Sequence, residues 1–405
     1  MIEIRNAKTV GGRRIDVSIE SDQKWVIQAD AWTLFPALID PHVHFRVPGA
    51  SHKEDWTTGA KAAIAGGVTM VFDMPNNHPP CTTLERMEEK IGLIERELKT
   101  IPLRYGLYLG ADRSSLKEIP RVKKKAIGLK IYMGSSTGGL LMDDRASLEE
   151  AFQLAAENDL LVAVHAEDEQ LIQLHRKKYA DRTDAATHSL VRNATVAAKA
   201  VELAIDLAKR HKAKLYIVHT STREELSLIR QAKKEGISVF AEAAPHHLFL
   251  NESDYEWLGT KALVNPPLRT ARDNEALWEA IDDETIDTVG TDHAPHTLEE
   301  KMQPYGKAPS GFPAIELYFP LLLNAAREGK LSLERIVSLT HTRPLEIFGL
   351  PSNDDVVLVD LEKQKTIDDT CLHTKVQWSP YAGRTVIGWP VMTIMKGHVY
   401  EVDKL

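Results

Sequence analysis

The middle of the chain repeats one pattern, in which a short apolar run ends in a polar residue or a glycine and a helical pattern follows. Continuous apolar runs that alternate with helices are typical of a parallel sheet covered on both faces. Eight such strands suit a closed barrel, so the sequence predicts an α/β fold, the (β/α)8 TIM barrel. The runs are residues 34–40, 68–73, 103–109, 127–133, 160–165, 213–219, 237–242 and 286–292.

The two ends of the chain follow a different pattern. Residues 1–30 and 353–405 contain short alternating β patterns, for example RRIDVSIES, VVLVDLE and HTKVQW, with no helical pattern between them. We therefore expect the ends to pair into one small β-sandwich domain beside the barrel. The predicted boundaries are 1–35 for its first part, 36–350 for the barrel and 351–405 for its second part.

Composition narrows the class of protein. With 405 residues and 43% hydrophobic residues, the chain can bury a large core and an accessory module. The net charge of −8 and the lack of a long basic run argue against a nucleic-acid partner. No signal peptide and no apolar stretch of about 20 residues is found, so we expect a cytoplasmic protein without a membrane span. Cys81 and Cys371 are far apart and are predicted to be free thiols.

Candidate metal ligands follow the predicted strands at the end where a TIM barrel opens. His42 and His44 are two residues apart, so both rings lie on one side of an extended segment and can chelate one ion. His165 and His219 close apolar strands, and Asp292 follows the eighth strand. Each has an ordinary alternative, such as a buried histidine bonded to a carbonyl or an aspartate capping a helix. Their convergence at one mouth favours a metal site.

Lys130 lies inside the fourth apolar run, where an ammonium group is costly unless it is paired or neutralised. Reaction with CO2 would turn it into a carbamate, an anion able to bridge two metal ions. The alternative is a salt bridge to a nearby acid such as Asp73. With four histidines at the same mouth, the carbamate is the favoured interpretation.

Eight motifs together resemble the dihydroorotases, a family of the amidohydrolase superfamily, over essentially the whole chain. They are DPHVHFRVPG, MPNN, GLKIYMGSSTGG, VHAED, AEAAPHHL, NPPLR, TDHAPHTLEEK and APSGFPAIE. The resemblance implies two zinc ions per subunit, one held by His42, His44 and Asp292 and the other by His165 and His219. It also implies a carboxylated Lys130 between them. Some members bridge with an aspartate instead, and Asp143 and Asp144 lie downstream, but Lys130 matches the lysine type.

The same resemblance implies a site for a substrate carboxylate, formed by Arg46, Asn76 and His296. A guanidinium fork and further donors suit that group. The structural alternatives are an arginine paired with Asp55, an asparagine in a turn and a histidine capping a helix.

Further residues are assigned by resemblance to the pocket and its rim. Asn265 and Gly311 are expected to line the ring pocket. The segment SSTGG is expected to be a mobile loop in which Ser136 or Thr137 contacts substrate. Glu242 matches a position that holds an extra metal in part of the family, and an ionic contact to His246 or His247 is the alternative.

The resemblance implies an enzyme that interconverts L-dihydroorotate and N-carbamoyl-L-aspartate in de novo pyrimidine (UMP) biosynthesis, with Asp292 as the proton carrier. Dihydropyrimidinase, hydantoinase and allantoinase share the metal ligands but act on rings without the carboxylate, and Arg46 and Asn76 speak against them. A non-catalytic partner of aspartate transcarbamoylase is the third alternative, but such proteins typically lose metal ligands. We expect a homo-oligomer, for example a dimer, with association to aspartate transcarbamoylase as a further prediction.

Overall fold

The structure, a computed structural model, describes residues 1–405, and its first four strands lie outside the barrel. They are β1 (Ile2–Thr9), β2 (Arg14–Ile19), β3 (Trp25–Gln28) and β4 (Thr33–Pro36). β1 pairs antiparallel with β2 and parallel with β3 and β4. This end of the chain therefore forms β structure without helices, as the alternating pattern predicts.

Eight parallel strands follow, each hydrogen-bonded to the next in chain order. They are β5 (Leu38–Val43), β6 (Val68–Asp73), β7 (Arg104–Gly110), β8 (Ala126–Tyr132), β9 (Val162–His165), β10 (Leu215–Ile217), β11 (Val239–Ala243) and β12 (Thr288–Val289). The ring closes next to β12, where Val43 forms a parallel bridge with His293. The backbone N–H of His44 also donates to the His293 carbonyl at 2.8 Å. The predicted TIM barrel is confirmed.

Helices cover the outside of this barrel. They are α1 (Trp56–Ala65), α2 (Leu84–Glu97), α3 (Ile119–Val122), α4 (Arg145–Glu157), α5 (Glu169–Lys178), α6 (Thr187–Val191), α7 (Ala194–His211), α8 (Arg223–Lys234), α9 (Pro245–Phe249), α10 (Tyr255–Leu258), α11 (Ala271–Asp282), α12 (Leu298–Lys301), α13 (Tyr318–Arg327), α14 (Leu333–Val337) and α15 (Arg343–Phe348). α6 and α7 are separate because Asn193 caps α7, its side chain accepting from the N–H of Val196. None of the helices combines the length and apolar character needed to cross a membrane.

The carboxyl-terminal strands complete the sheet that the amino-terminal strands begin. They are β13 (Val356–Thr366), β14 (Thr385–Met395) and β15 (His398–Glu401). β13 pairs antiparallel with β4, with Val357 opposite Phe35, so the two ends of the chain meet in one continuous seven-stranded sheet. The prediction that the ends pair is confirmed.

Two strand predictions were wrong in detail. Residues 34–40 were predicted as one strand, but Ala37 separates β4, in the terminal sheet, from β5, in the barrel. The apolar run continues across the break because both strands are buried. Residues 373–378 (HTKVQW) form no strand. The buried Trp378 in this segment packs in a cluster with Phe312 and Leu263, near the barrel loops.

Apolar side chains from both sheets meet in the principal core. It contains barrel residues such as Val71 and Leu129 together with Phe35 and Val357 from the terminal sheet. The terminal sheet therefore packs directly against the barrel. Cys81 is buried and Cys371 is exposed, and both are free thiols as predicted.

Candidate active site

A polar cavity lies at the carboxyl ends of the barrel strands. Its walls contain every residue predicted for the site except Glu242 and His296, which lie behind them. The lining residues are His42, His44, Arg46, Asn76, Lys130, Tyr132, Ser136, Thr137, His165, His219, Val264, Asn265, Asp292, Ala294, Ser310 and Gly311. The barrel thus brings together side chains that are spread over most of the sequence.

His42, His44 and Asp292 form one group that could hold a metal ion, and their potential ligand atoms lie within 4.8 Å of one another. The Nε2 atoms of His42 and His44 lie 3.2 and 3.0 Å from Asp292 Oδ1. Burial raises the pKa of Asp292, but the nearby His42 and His44 outweigh it and hold the pKa below its usual range. Asp292 is therefore a carboxylate, and it offers one candidate ligand atom beside the two from His42 and His44.

His165 and His219 form a second group next to the first, since the ring centroids of His42 and His219 are 5.4 Å apart. His165 Nδ1 and His219 Nε2 face each other at 2.9 Å. Burial lowers the pKa of both imidazoles, which keeps them in the neutral form that binds metals. On the far side of the ring, His165 Nε2 lies 2.8 Å from a carboxylate oxygen of Glu167, and Arg192 forms an ion pair with that same oxygen. Glu167 therefore fixes which nitrogen of His165 faces the cavity.

Lys130 lies between the two groups, on β8, and it has no hydrogen-bond partner although it is fully buried. The alternative of a salt bridge to Asp73 was wrong, because Asp73 pairs with Lys90 at 2.5 Å. Burial lowers the pKa of Lys130 to about 7, against the opposing effects of Glu242 and Asp292. An unpaired amine at this depth has a strong physical reason to be modified or coordinated.

Glu242 lies behind His42 rather than in the cavity. Its carboxylate is 2.8 Å from His42 Nδ1 and accepts from the N–H of His219 at 3.0 Å and from the Tyr216 hydroxyl at 2.8 Å. The expected alternative contact to His246 or His247 was wrong. A carboxylate on Nδ1 leaves Nε2 of His42 as the atom directed at Asp292.

Arg46 is buried beside the metal-binding groups and forms no salt bridge. Its Nε donates to the Pro295 carbonyl at 3.1 Å, and its Nη2 lies 3.2 Å from His296 Nε2. The alternative pairing with Asp55 was wrong, because Asp55 caps α1 and pairs with Lys375. Burial lowers the pKa of Arg46 to about 10, the effect expected of a cation removed from water without a paired anion.

Asn76 connects a candidate metal ligand to the rim of the cavity. Its side-chain oxygen lies 2.7 Å from His44 Nδ1, and its amide donates to the carbonyl of Thr137 at 2.9 Å. Gly138 packs against the backbone of Asn76 with a φ of 102°, where a Cβ atom would lie only 2.7 Å from it. The segment 135–139 therefore closes one side of the cavity through a contact that requires glycine.

The remaining predicted pocket residues lie on the opposite rim. The side-chain oxygen of Asn265 is 2.9 Å from His188 Nε2, and Gly311 has a φ of 120° close to Ala294. Arg46, His219 and Asp292 also have positive φ values, of 61°, 40° and 48°. A non-glycine residue in this left-handed conformation destabilises the fold by about 1–3 kcal/mol, and such residues are concentrated at functional sites.

Residues 33–398 match the amidohydrolase family. The chain belongs to this family. Among curated relatives, the dihydroorotase of Halobacterium salinarum is 38% identical over 400 residues, covering 95% of this chain and 91% of the relative. The dihydroorotase of Bacillus licheniformis is 36% identical, covering 94% and 90%. The predicted resemblance to the dihydroorotases is confirmed, and with it the prediction of a hydrolase.

Solved structures agree with this placement among the amidohydrolases. The L-hydantoinase (dihydropyrimidinase) from Arthrobacter aurescens superimposes with a TM-score of 0.92 at 28% identity, covering 98% of this chain and 95% of that chain. The barrel and the terminal sheet are therefore both shared with a relative of a different printed activity. Fold likeness alone does not select between dihydroorotase and hydantoinase.

Three residues around this amidohydrolase site were missed from the sequence. Glu167 is two residues after His165 in VHAED, a spacing that could have indicated a shared side of the chain. Arg192 comes from the break between α6 and α7, and Lys53 from the loop before α1, where no pattern indicates a contact. These contacts depend on loop geometry rather than on periodicity.

Replacing Glu167 with glutamine is expected to weaken metal binding by about 10- to 100-fold, because the amide no longer holds His165 with a charged acceptor. Metal affinity measured by competition with a chelating dye tests this directly. Glu169→Gln provides the control, since Glu169 lies two residues further along and accepts from the N–H of Ser135 instead. Equal metal affinity in wild type and Glu167→Gln would show that Glu167 does not support His165.

Proposed function

We propose that this amidohydrolase is a dihydroorotase, which opens L-dihydroorotate to N-carbamoyl-L-aspartate and closes it again in de novo pyrimidine synthesis. The observation that carries the proposal is Arg46, a buried guanidinium without an anionic partner in the wall of the cavity that holds the metal-binding groups. A buried cation of this kind is costly unless a ligand brings the negative charge. The ring carboxylate of dihydroorotate supplies that charge, and the curated relatives are named dihydroorotases.

The donor set fits a pair of divalent cations, which we propose are zinc. One group consists of His42, His44 and Asp292, and the other of His165 and His219, whose ring nitrogens face each other. The unpaired Nζ of Lys130 between them would react with CO2, forming an N–C bond and releasing one proton, and the resulting carbamate would bridge both cations. The cations would lower the pKa of a water molecule and polarise the amide carbonyl.

Asp292 would carry the proton during ring opening. Its carboxylate stays ionised because of the adjacent histidines, so it can take a proton from the attacking water. The water oxygen bonds to the ring amide carbon, the C–N bond breaks, and Asp292 returns the proton to the departing nitrogen. Ring closure follows the same path in reverse.

The substrate carboxylate would be held by Arg46, Asn76 and His296, with Asn265 and Gly311 beside the ring. Ser136 and Thr137 would contact the substrate from the segment 135–139, whose contact with Asn76 connects it to the site. Glu242 as an extra metal ligand remains a prediction. The boundaries 1–35, 36–350 and 351–405, the cytoplasmic location, a homo-oligomer such as a dimer, and an association with aspartate transcarbamoylase also remain predictions.

The hydantoinase alternative rests on the fold likeness to the Arthrobacter enzyme. The substrates of the two activities differ in one chemical group, because hydantoins and dihydrouracil lack the ring carboxylate that would bind Arg46. Steady-state assays with dihydroorotate, dihydrouracil and hydantoin separate them. Turnover of dihydroorotate alone supports the proposal, and turnover of the two rings without carboxylate, but not of dihydroorotate, contradicts it.

Replacing Arg46 with methionine is expected to lower kcat/KM for dihydroorotate by about 100-fold or more, because a buried charge pair with the substrate is lost. Arg46→Lys should recover only part of this loss, since an ammonium group lacks the planar fork that meets a carboxylate. The control is Arg113→Met, an exposed arginine outside the cavity. If Arg46→Met retains the wild-type kcat/KM, the carboxylate is bound elsewhere.

A further inference from the structure

Four polar groups surround the ring of His296, and the three within hydrogen-bond distance determine where its proton can lie. Nδ1 is 3.0 Å from the ammonium nitrogen of Lys53. Nε2 is 3.1 Å from the carbonyl oxygen of Ser310 and 3.2 Å from Nη2 of Arg46. An oxygen of Glu300 lies 3.8 Å from Nδ1, which is too long for a hydrogen bond.

Only one neutral form satisfies the two shorter contacts. With the proton on Nε2, the ring accepts from Lys53 at Nδ1 and donates to Ser310. With the proton on Nδ1, that N–H would face the ammonium group and the Nε2 lone pair would face a carbonyl oxygen. This second form accepts one hydrogen bond from Arg46, but it places a donor against a donor at Lys53 and an acceptor against an acceptor at Ser310. The form with the proton on Nε2 is therefore favoured.

We propose that Lys53 is a positioning residue, which sets the tautomer of His296 and thereby keeps an Nε2–H next to Arg46; this N–H donates to the Ser310 carbonyl in the free protein and would turn to the substrate carboxylate when substrate binds. This inference rests on the proposed function for the identity of the anion. Two N–H donors at 3.2 Å repel each other until an anionic oxygen accepts from both. The arrangement thus favours a carboxylate over a neutral ring substituent.

Contacts outside this pair hold both His296 and Lys53 in position. The backbone of His296 is fixed from outside the barrel, because Trp378 Nε1 donates to its carbonyl at 2.8 Å. Lys53 itself is held by Glu300 at 2.9 Å, and its side chain is only 16% exposed. The loop after β5 and the loop after β12 therefore meet at this contact, on either side of the point where the barrel closes.

The test is a long-range proton–nitrogen NMR spectrum of protein labelled with 15N-histidine, in which His296 is assigned from the signals lost in His296→Gln. In the wild type we expect a neutral ring with its proton on Nε2. Lys53→Met removes the donor to Nδ1, so a measurable fraction of the His296 rings should carry the proton on Nδ1 and accept from Arg46 at Nε2. Lys53→Arg should restore the wild-type form. A wild-type proton on Nδ1, or no response to Lys53→Met, overturns the proposal.

Kinetics give the second readout. In Lys53→Met, KM for dihydroorotate should rise about ten-fold with little change in kcat, the size of effect expected for one hydrogen bond to a charged group. The exposed Lys307→Met is the matched control. An unchanged KM despite a shifted tautomer overturns the positioning role. The NMR readout needs no substrate, so a tautomer response without dihydroorotate turnover supports the Lys53–His296 contact while the proposed function fails.

Discussion

Replacing Lys130 with alanine is expected to reduce kcat for dihydroorotate by about 10,000-fold, the size of loss seen when one member of a catalytic unit is removed. Lys130 lines the cavity together with the two candidate metal-binding groups and has no hydrogen-bond partner, so alanine removes the side chain proposed to bridge them. The metal content should fall below two ions per chain in the same variant. Both quantities are measured on purified protein, by steady-state assay and by elemental analysis.

The vacated space offers a rescue experiment with a matched control. Short carboxylic acids such as acetate or propionate should enter the space left in Lys130→Ala and restore part of the activity and of the metal content. Lys130→Met fills that space with apolar atoms, so it should be equally inactive and should not respond. Full activity in Lys130→Met would show that no carbamate is needed.

Replacing Asp292 with asparagine is expected to lower kcat by about 1,000-fold or more, with a smaller change in KM, because the amide cannot accept and return a proton. The substitution keeps the size of the side chain and its contacts with His42 and His44. Asp287→Asn is the control, since Asp287 precedes the same strand and pairs with Lys233 and Arg343 away from the cavity.

The pH profile adds an independent check on Asp292. The adjacent histidines hold its pKa below the usual range, so the carboxylate is ionised throughout the neutral range. The acidic limb of the kcat profile should therefore not arise from Asp292 itself. If Asp292→Asn retains at least a tenth of the wild-type kcat, Asp292 is not the proton carrier.

The barrel and the positions of the central polar side chains could be predicted because each depends on a local pattern. Lys130 and His165 lie within apolar strands, and β8 and β9 fell within two residues of the predicted runs. Once eight strands are arranged in order, their carboxyl ends must share one mouth. The exact ends of the strands were harder to predict. His219 lies two residues after the end of β10, and Asp292 lies three residues after the end of β12.

What the sequence could not supply were contacts between loops. Asn76 was expected to hold substrate, but its contacts with His44 and Thr137 depend on the path of two separate loops. Residues 373–378 alternate like a strand, yet tertiary contacts hold them as an irregular segment in which Trp378 donates to the His296 carbonyl. An alternating pattern indicates only that every second side chain is buried, and a loop packed on a barrel can bury alternate side chains just as a strand does.

Two cations bridged by a carboxylated Lys130 would form the proposed reaction centre. This centre is tested most directly by the metal content per chain of protein grown with zinc, combined with a 13C NMR spectrum after exposure to 13C-labelled bicarbonate. We expect two ions per chain and a carbamate signal that is lost in Lys130→Ala. One ion per chain, with no carbamate signal and full dihydroorotate activity, would contradict it.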